Sequence, residues 1–398
     1  MLLIVENYQP IHSRKLGDVM LPIKMWLDNV EDSALEQINN MANLPFAFHH
    51  VAIMPDCHTG YGMPIGGVLA TTDVVIPNAV GVDIGCGMLA AQTTLPNEWA
   101  DNKERLNKII EEIKMLIPLG TNHHKLPKDI KGFDRPTRNS ICAMEFNSAE
   151  YQLGTLGGGN HFIEFQKGSD GFIYIMIHSG SRNIGYKVAN HYNKLAVERN
   201  KSWFSSVPKE SQLAFLPIDS SEGGNYIDEM SWCIKFASQS RYHMMNTILG
   251  IAMFKFPRED FEYEYYETKH NYARLEHHYG KNVMIHRKGA IHAKKGKLCI
   301  IPGSQGTSSY IVEGLGNRES FESASHGAGR TMSRTKAKEV LNLEEQQARM
   351  SGIVHGMTSK NKLDESPGAY KDIDEVMEQQ KDLVKILVKL TPVAVIKG

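Results

Sequence analysis

Glycine constrains this chain more than any other residue. Of its 34 glycines, 19 fall in five islands: residues 56–67 (DCHTGYGMPIGG), 81–87 (GVDIGCG), 154–164 (GTLGGGNHFIE), 178–185 (HSGSRNIG) and 303–330, which holds PGSQGTSS and SHGAGR. Glycine loses more backbone entropy on folding than other residues, so such density needs a compensating use. The use is a backbone that turns sharply or passes close to another group. Consecutive N–H groups in such turns cradle anions, phosphate above all. The islands also carry histidine, cysteine, aspartate and arginine, the side chains of metal and phosphate chemistry.

Composition sets the outer bounds. With 398 residues, 41% hydrophobic and 22% charged, a soluble globular protein of one large domain or two ordinary ones is expected. No apolar run reaches the roughly 18 residues of a membrane span. The start, MLLIVENYQP, lacks a basic segment before an apolar one, so no secretory leader is expected and the cytoplasm is the expected compartment. Cys57, Cys86, Cys142, Cys233 and Cys299 are odd in number and scattered, which argues against a disulfide framework. A net charge of −1 gives no global basic field, so a nucleic acid would need a local basic surface. Seventeen histidines raise the prospect of metal chemistry without fixing any residue.

Helical spacing predicts a helix capped by Asn97 and running to about Leu116, with Leu106, Ile109, Ile110, Ile113 and Leu116 on one face. Residues 226–249, 334–351 and 372–386 also read as helices. Gly171–Ile177, Leu298–Ile301 and Val393–Ile396 read as strands. The two types do not alternate regularly, which predicts an α+β fold rather than a doubly wound sheet. The segment 120–136, with His123 and His124, reads as a polar surface loop.

Five constellations carry chemistry. Asp83 and Cys86, three apart between glycines, suit a carboxylate–thiolate metal pair, though each alone also fits a turn aspartate and a buried cysteine. Asn160-His161 and His178 adjoin strand-like runs, where imidazoles converge on metals or sit satisfied in a core. His270 offers a further ligand, with Glu267 placed to orient it if the segment is helical. His326, flanked by small residues in SHGAGR, is open enough to act as base or nucleophile, with Arg330 beside it for a phosphate. Arg182, Arg287, Lys288, Lys294, Lys295 and Lys297 offer phosphate contacts, and HRKGA at 286–290 looks like a phosphate loop. There is no GxxxxGK[ST] loop, no convincing GxGxxG strand–helix site and no KxDG.

In order along the chain, DCHTGYGMPIGGV, VGVDIGCG, LGGGNHFIE, HSGSR, KHN, HRKGA, PGSQGTSSY, SHGAGR and VIKG resemble the RtcB family of RNA ligases. The resemblance runs from about residue 45 to the C-terminus. It implies one α+β domain over residues 1–398 with its site in a central cleft. It implies Asp83, Cys86, His161, His178 and His270 as ligands of two Mn²⁺ ions that share the thiolate. On residue type alone zinc would suit this set as well. It implies His326 as the residue that carries GMP from GTP. Asn160, Glu164, Ser304, Ala328, Gly329, Tyr370 and Lys397 match positions of the nucleotide pocket. Glu164 would read the guanine edge, and Lys397 would bring the C-terminus back into the pocket. Arg182, Arg287 and Arg330 are the candidate phosphate or RNA contacts.

The implied reaction joins an RNA 3′-phosphate, or a 2′,3′-cyclic phosphate opened to one, to an RNA 5′-hydroxyl through guanylyl-histidine and an RNA-ppG end, in tRNA splicing or RNA repair. An archease-like activator is a further implication. Gln305 stands where the family commonly has Met, and 117–140 and 226–266 match weakly, so these segments bear on which RNA is joined. A metal-dependent cyclic phosphodiesterase, or an RNA-binding paralogue without ligation, is the alternative. The phosphodiesterase would need neither His326 nor Lys397, and the binding paralogue would have lost metal ligands.

Overall fold

The apolar runs of the sequence resolve into two large sheets whose ends meet at the glycine islands. The computed structural model describes residues 3–4, 20–130, 133, 136–255 and 261–398. Parts of the 120–136 loop, and most of the N-terminal segment read for a leader, lie outside the described residues.

The first sheet has six strands in the order Leu3–Ile4, Ile23–Met25, Ala47–His58, Ile65–Thr71, Lys281–Lys288, Asn271–His278. The second has seven: Tyr263–Lys269, Gly87–Pro96, Phe172–Ser179, Phe162–Gly168, Val384–Lys397, Ser309–Gly314, Leu298–Ile301. Only the Ile23–Met25/Ala47–His58 pairing is parallel among the described strands. Phe172–Ser179 is central and buried on both faces after its first residue, which is why its sequence is continuously apolar rather than alternating. Helices are segregated from these mainly antiparallel sheets, so the fold is α+β.

Helix Lys103–Leu116 buries Leu106, Ile109, Ile110 and Ile113 against the seven-stranded sheet and against Met244, Met245 and Ile248 of helix Ser221–Lys255. Each such side chain contributes about 1.5–3 kcal/mol. The cap is Asn102, whose side chain accepts from the Arg105 N–H, and residues 97–101 form a separate 3₁₀ turn. The cap therefore lies five residues beyond the predicted Asn97, and Leu116, expected on the buried face, is 49% exposed. A second layer, Ile141–Gln152 and Arg182–Ser202, packs on the long helix through Cys142, Val188, Tyr192 and Phe236.

Other expectations need correction. Residues 334–351 are two short helices, Arg334–Val340 and Leu343–Arg349, the second capped by Asn342. The helix at 372–386 is only Ile373–Gln379, because Val384 already enters the C-terminal strand. That strand runs to Lys397, well beyond the predicted Val393–Ile396. Glu267 is on a strand, not a helix, and pairs with Arg241 rather than orienting His270. Among the described residues, no helix is long and apolar enough to cross a membrane.

His270 is the single residue between Tyr263–Lys269 of one sheet and Asn271–His278 of the other. The crossing point of the two sheets is thus occupied by a candidate ligand.

Candidate active site

Strand ends bring the sequence-predicted ligands together. Cys86 immediately precedes Gly87–Pro96, His161 precedes Phe162–Gly168, and His178 lies near the end of Phe172–Ser179, registered opposite both Met88 and Phe162. The Cys86 Sγ is 3.2 Å from His178 Nε2 and 3.5 Å from His161 Nε2. His161 Nε2 is 2.9 Å from Asp83 Oδ2, and the Nε2 atoms of His178 and His270 are 3.3 Å apart. Two donor trios result: Cys86, His178 and His270, and Asp83, Cys86 and His161, each with its atoms within 4.8 Å of one another. Cys86 belongs to both.

Glycines make this convergence possible. A Cβ on Gly180 would sit 2.0 Å from Asp83 Oδ1, and one on Gly157 would sit 2.1 Å from His161 Nδ1. The islands are close approaches to the ligands themselves, as their density requires.

The donor set fits a cation. The His178 Nδ1–H donates to the Asn160 carbonyl (3.1 Å), which turns its Nε2 lone pair into the cluster. If a proton separated that lone pair from His270 Nε2, His270 Nδ1 would remain the acceptor, and it is buried with no partner among the described residues. A positive centre removes the conflict by taking both lone pairs. Burial, then neighbouring imidazoles, holds His178 and His270 well below the ordinary histidine range, in the neutral ligating form. Burial and the Asp83 carboxylate push the Cys86 thiol up, so a thiolate there needs a metal to hold it.

His326 follows the short strand Ser323–Ser325, with its ring centroid 4.7 Å from that of His270. Its Nδ1 is 2.6 Å from Oδ2 of Asp56, and its backbone N–H donates to the same oxygen (3.1 Å). Asp56 is fully buried in the strand Ala47–His58. Gly329, at φ +75°, lets the chain pass: a Cβ there would lie 2.3 Å from the Asp56 carbonyl oxygen. Gly289, at φ +61°, leaves room for His326 Cε1 in the same way. The Asp56 carboxylate accepts the Nδ1 proton, which leaves Nε2 with its lone pair.

Two clefts meet at His326. The first is lined by Asn160, Glu164, Ser304, Ala328, Gly329, Tyr370 and Lys397, all seven positions matched to the nucleotide pocket. The second contains Asp83, Cys86 and His270. His58, Ile65, Asn160, His326, Arg330 and Arg334 border both.

Lys397 reaches the first cleft because Val384–Lys397 pairs with Phe162–Gly168, setting Lys397 opposite Phe162. The cleft is organised by Glu365, a buried carboxylate. It accepts from Lys397 Nζ (3.1 Å), Arg330 Nη1 (3.2 Å), Arg334 Nη2 (3.1 Å) and the Tyr370 hydroxyl (2.7 Å). Burial works against its charge, but Lys397 and the two arginines outweigh it and hold the carboxyl below its usual range. Glu164 is the opposite case: burial pushes it up to about 8, against the opposing pull of Gln166 and Lys397.

The three arginines differ. Among the described residues Arg330 Nη2 is buried with no hydrogen-bond partner, a donor ready for a phosphate. Arg182 donates to Thr155 Oγ1 (3.1 Å) and the Gly120 carbonyl (2.6 Å) beside the metal-ligand island. Arg287 must be withdrawn as a phosphate contact. It is fully buried, forked on Glu276 (2.6 and 3.0 Å), and donates to Ser323 Oγ and the Phe321 carbonyl. It braces the strand that presents His326.

Sequence reading missed Asp56, His58, Arg334 and Glu365 as functional residues. Asp56 and His58 lie inside the first glycine island, which was their only local signal.

The sequence pattern of the family described as tRNA-splicing ligase RtcB matches residues 37–398. The RNA-splicing ligase RtcB of Escherichia coli K12 is 39% identical over 405 aligned residues, which cover 95% of this chain and 97% of the relative. The tRNA-splicing ligase RtcB of Nanoarchaeum equitans is 33% identical, covering 96% and 97%. That of Methanococcus maripaludis is 32% identical, covering 96% and 95%.

Proposed function

This chain belongs to the RtcB family of RNA ligases, and from that premise we propose that it joins RNA 3′-phosphate ends to RNA 5′-hydroxyl ends with GTP. The observation that carries the reading is the setting of His326. Its Nδ1 is tied to a buried carboxylate, and its ring stands between a cleft of nucleotide-type residues and a thiol–imidazole–carboxylate cluster.

His326 Nε2 attacks the α-phosphorus of GTP. An N–P bond forms, the bond to the β-phosphate oxygen breaks and pyrophosphate leaves. The imidazolium so formed keeps its Nδ1 proton against Asp56, as a carboxylate stabilises imidazolium in other histidine-dependent sites. An oxygen of the RNA 3′-phosphate then displaces His326 from the phosphorus, giving an RNA-ppG end and neutral histidine. The 5′-hydroxyl of the second strand attacks the RNA phosphorus of that end, GMP leaves, and the hydroxyl proton passes to solvent. A 2′,3′-cyclic phosphate is first opened by water.

Asp83, Cys86, His161, His178 and His270 would hold two Mn²⁺ ions, which supply charge neutralisation at phosphate and orientation of attacking and leaving oxygens. Glu164 accepts the N1 and N2 protons of guanine. Arg330 uses its unpartnered Nη2 on a phosphate oxygen. Glu365 positions Arg330, Tyr370 and Lys397 around the nucleotide.

The test is a gel assay with a 3′-phosphate RNA, a 5′-hydroxyl RNA, GTP and Mn²⁺. Sealed product that requires GTP and His326 supports the reading. Opening of 2′,3′-cyclic ends with no sealing would overturn it in favour of a phosphodiesterase.

A further inference from the structure

The second cleft has a lip that the chemistry above does not use. Tyr61, in the loop between Ala47–His58 and Ile65–Thr71, is 72% exposed, and Val82 across the cleft is 41% exposed. Among the described residues the Tyr61 ring and hydroxyl have no partner.

The backbone beneath the ring is nevertheless fixed. The Tyr61 carbonyl accepts from Lys288 Nζ (2.6 Å) and from the Met63 N–H (2.8 Å). Gly60 is clamped from both sides by the Gln37 amide (2.6 and 3.1 Å). Gly62 is at φ +71°, and a Cβ there would lie 2.7 Å from the Gln212 carbonyl oxygen. An aromatic ring exposed on an immobile turn loses little entropy when something stacks on it.

Lys288 lies at the floor of this cleft. Lys288 is 6% exposed, burial pushes its ammonium down to about 7, and its Nζ donates to two carbonyls, those of Tyr61 and Asn78. Among the described residues it has no carboxylate within ion-pair distance. With neutral partners only, its charged form is favoured by an anion bound beside it. An exposed ring and a lysine amine lining one cleft are the pairing that holds single-stranded nucleic acid, base on ring and phosphate on charge.

We infer that the cleft between Tyr61 and Val82 seats the 5′-hydroxyl RNA strand, with its first base stacked on Tyr61 and its first phosphate directed to Lys288. This rests on the ligase reading above and assigns the second strand to the side of His326 opposite the nucleotide cleft. A strand seated there has its terminal hydroxyl beside Asp83, Cys86 and His270.

The experiment isolates the sealing step. Pre-activated RNA-ppG and a 5′-hydroxyl RNA are given to the wild type, Tyr61→Ala and Tyr61→Phe, and KM for the 5′-hydroxyl strand is measured apart from kcat. Tyr61→Ala is expected to raise that KM about tenfold, within the range for loss of one base stack. Tyr61→Phe, which keeps the ring, is expected to stay within about twofold of wild type. A substrate abasic at its 5′-terminal nucleotide is expected to show the same penalty with wild type, and Tyr61→Ala to add nothing further. Unchanged KM in Tyr61→Ala, additive penalties, or a defect confined to the 3′-phosphate strand would each overturn the inference. The abasic substrate decides the matter with wild type alone should the variant not fold: no penalty contradicts the stack. If wild type neither labels with GTP nor seals, the ligase reading fails separately. Binding of a fluorescent 5′-hydroxyl oligonucleotide to wild type and Tyr61→Ala then decides the cleft: equal affinity contradicts it, and about tenfold weaker binding by the variant supports it.

Discussion

Asp56 Oδ2 holds both the ring Nδ1 and the backbone N–H of His326, residues separated by 270 positions in sequence. One buried oxygen therefore fixes the ring's tautomer and its position. Replacing Asp56 by Asn offers an N–H to Nδ1, which moves the ring proton to Nε2, the atom required as nucleophile. Asp56→Asn is expected to slow labelling of His326 by GTP about 10²- to 10⁴-fold, with little change in GTP affinity. Single-turnover labelling against a separate binding isotherm checks this.

Glu164 gives a pH signature. Its carboxyl is raised to about 8 in the free protein by burial, from an ordinary value of 4.5. The folded state thus binds the extra proton, so this group's contribution to stability is present below about 4.5 and is lost as pH rises toward 8. Guanine needs the ionised form, so binding below 8 must expel the proton. GTP affinity is expected to tighten by up to about tenfold per pH unit between roughly 6 and 8, then level off. Calorimetry in buffers of different ionisation heat reads the proton released. Glu164→Gln should bind weakly with no such slope, and should gain stability over wild type at about pH 8.5.

Cys86 is common to both donor trios, whereas His270 and Asp83 each belong to one. Cys86→Ala is expected to abolish both tight Mn²⁺ sites, and His270→Ala or Asp83→Asn to weaken chiefly one. Metal counting after equilibrium dialysis distinguishes these. Chelation should lower the melting temperature of wild type, since metal at about 100 times its Kd adds about 2.7 kcal/mol per site. The melting temperature of Cys86→Ala should not respond.

Glu365 joins Lys397, Arg330, Arg334 and Tyr370. Glu365→Ala leaves the half-buried Lys397 and Arg330, and the exposed Arg334, without their counter-charge, a loss of about 1.5–3 kcal/mol, measurable by denaturant titration. The lowered carboxyl contributes stability above the ordinary carboxylate range, and that contribution is lost as pH falls through its folded value. Acid unfolding of Glu365→Gln should accordingly be shallower than that of wild type.

The site was legible where its signal was local. Glycines at 157, 180 and 329 stand out in sequence because a close approach excludes every other residue there. Cysteine and histidine advertise ligation by type. Carboxylates do not: Asp56 and Glu365 look like any acidic residue beside a turn, and their partners lie 270 and about 32 positions away. Arg287 misled for the converse reason. HRK reads as an exposed basic run, yet Lys281–Lys288 is an inner strand and its arginine turns inward to Glu276. Residues 372–386 misled because Leu383, Val384 and Ile386 extend the apolar spacing of the short helix, and pairing of Val384–Ile386 with Ser309–Gly314 decides for strand.

The most direct test is covalent. Protein incubated with α-³²P-GTP and Mn²⁺, then denatured, is predicted to carry acid-labile, alkali-stable label on His326, absent in His326→Ala and Cys86→Ala. Unlabelled wild type with its metal shown to be bound, or label that persists in His326→Ala, would contradict the account.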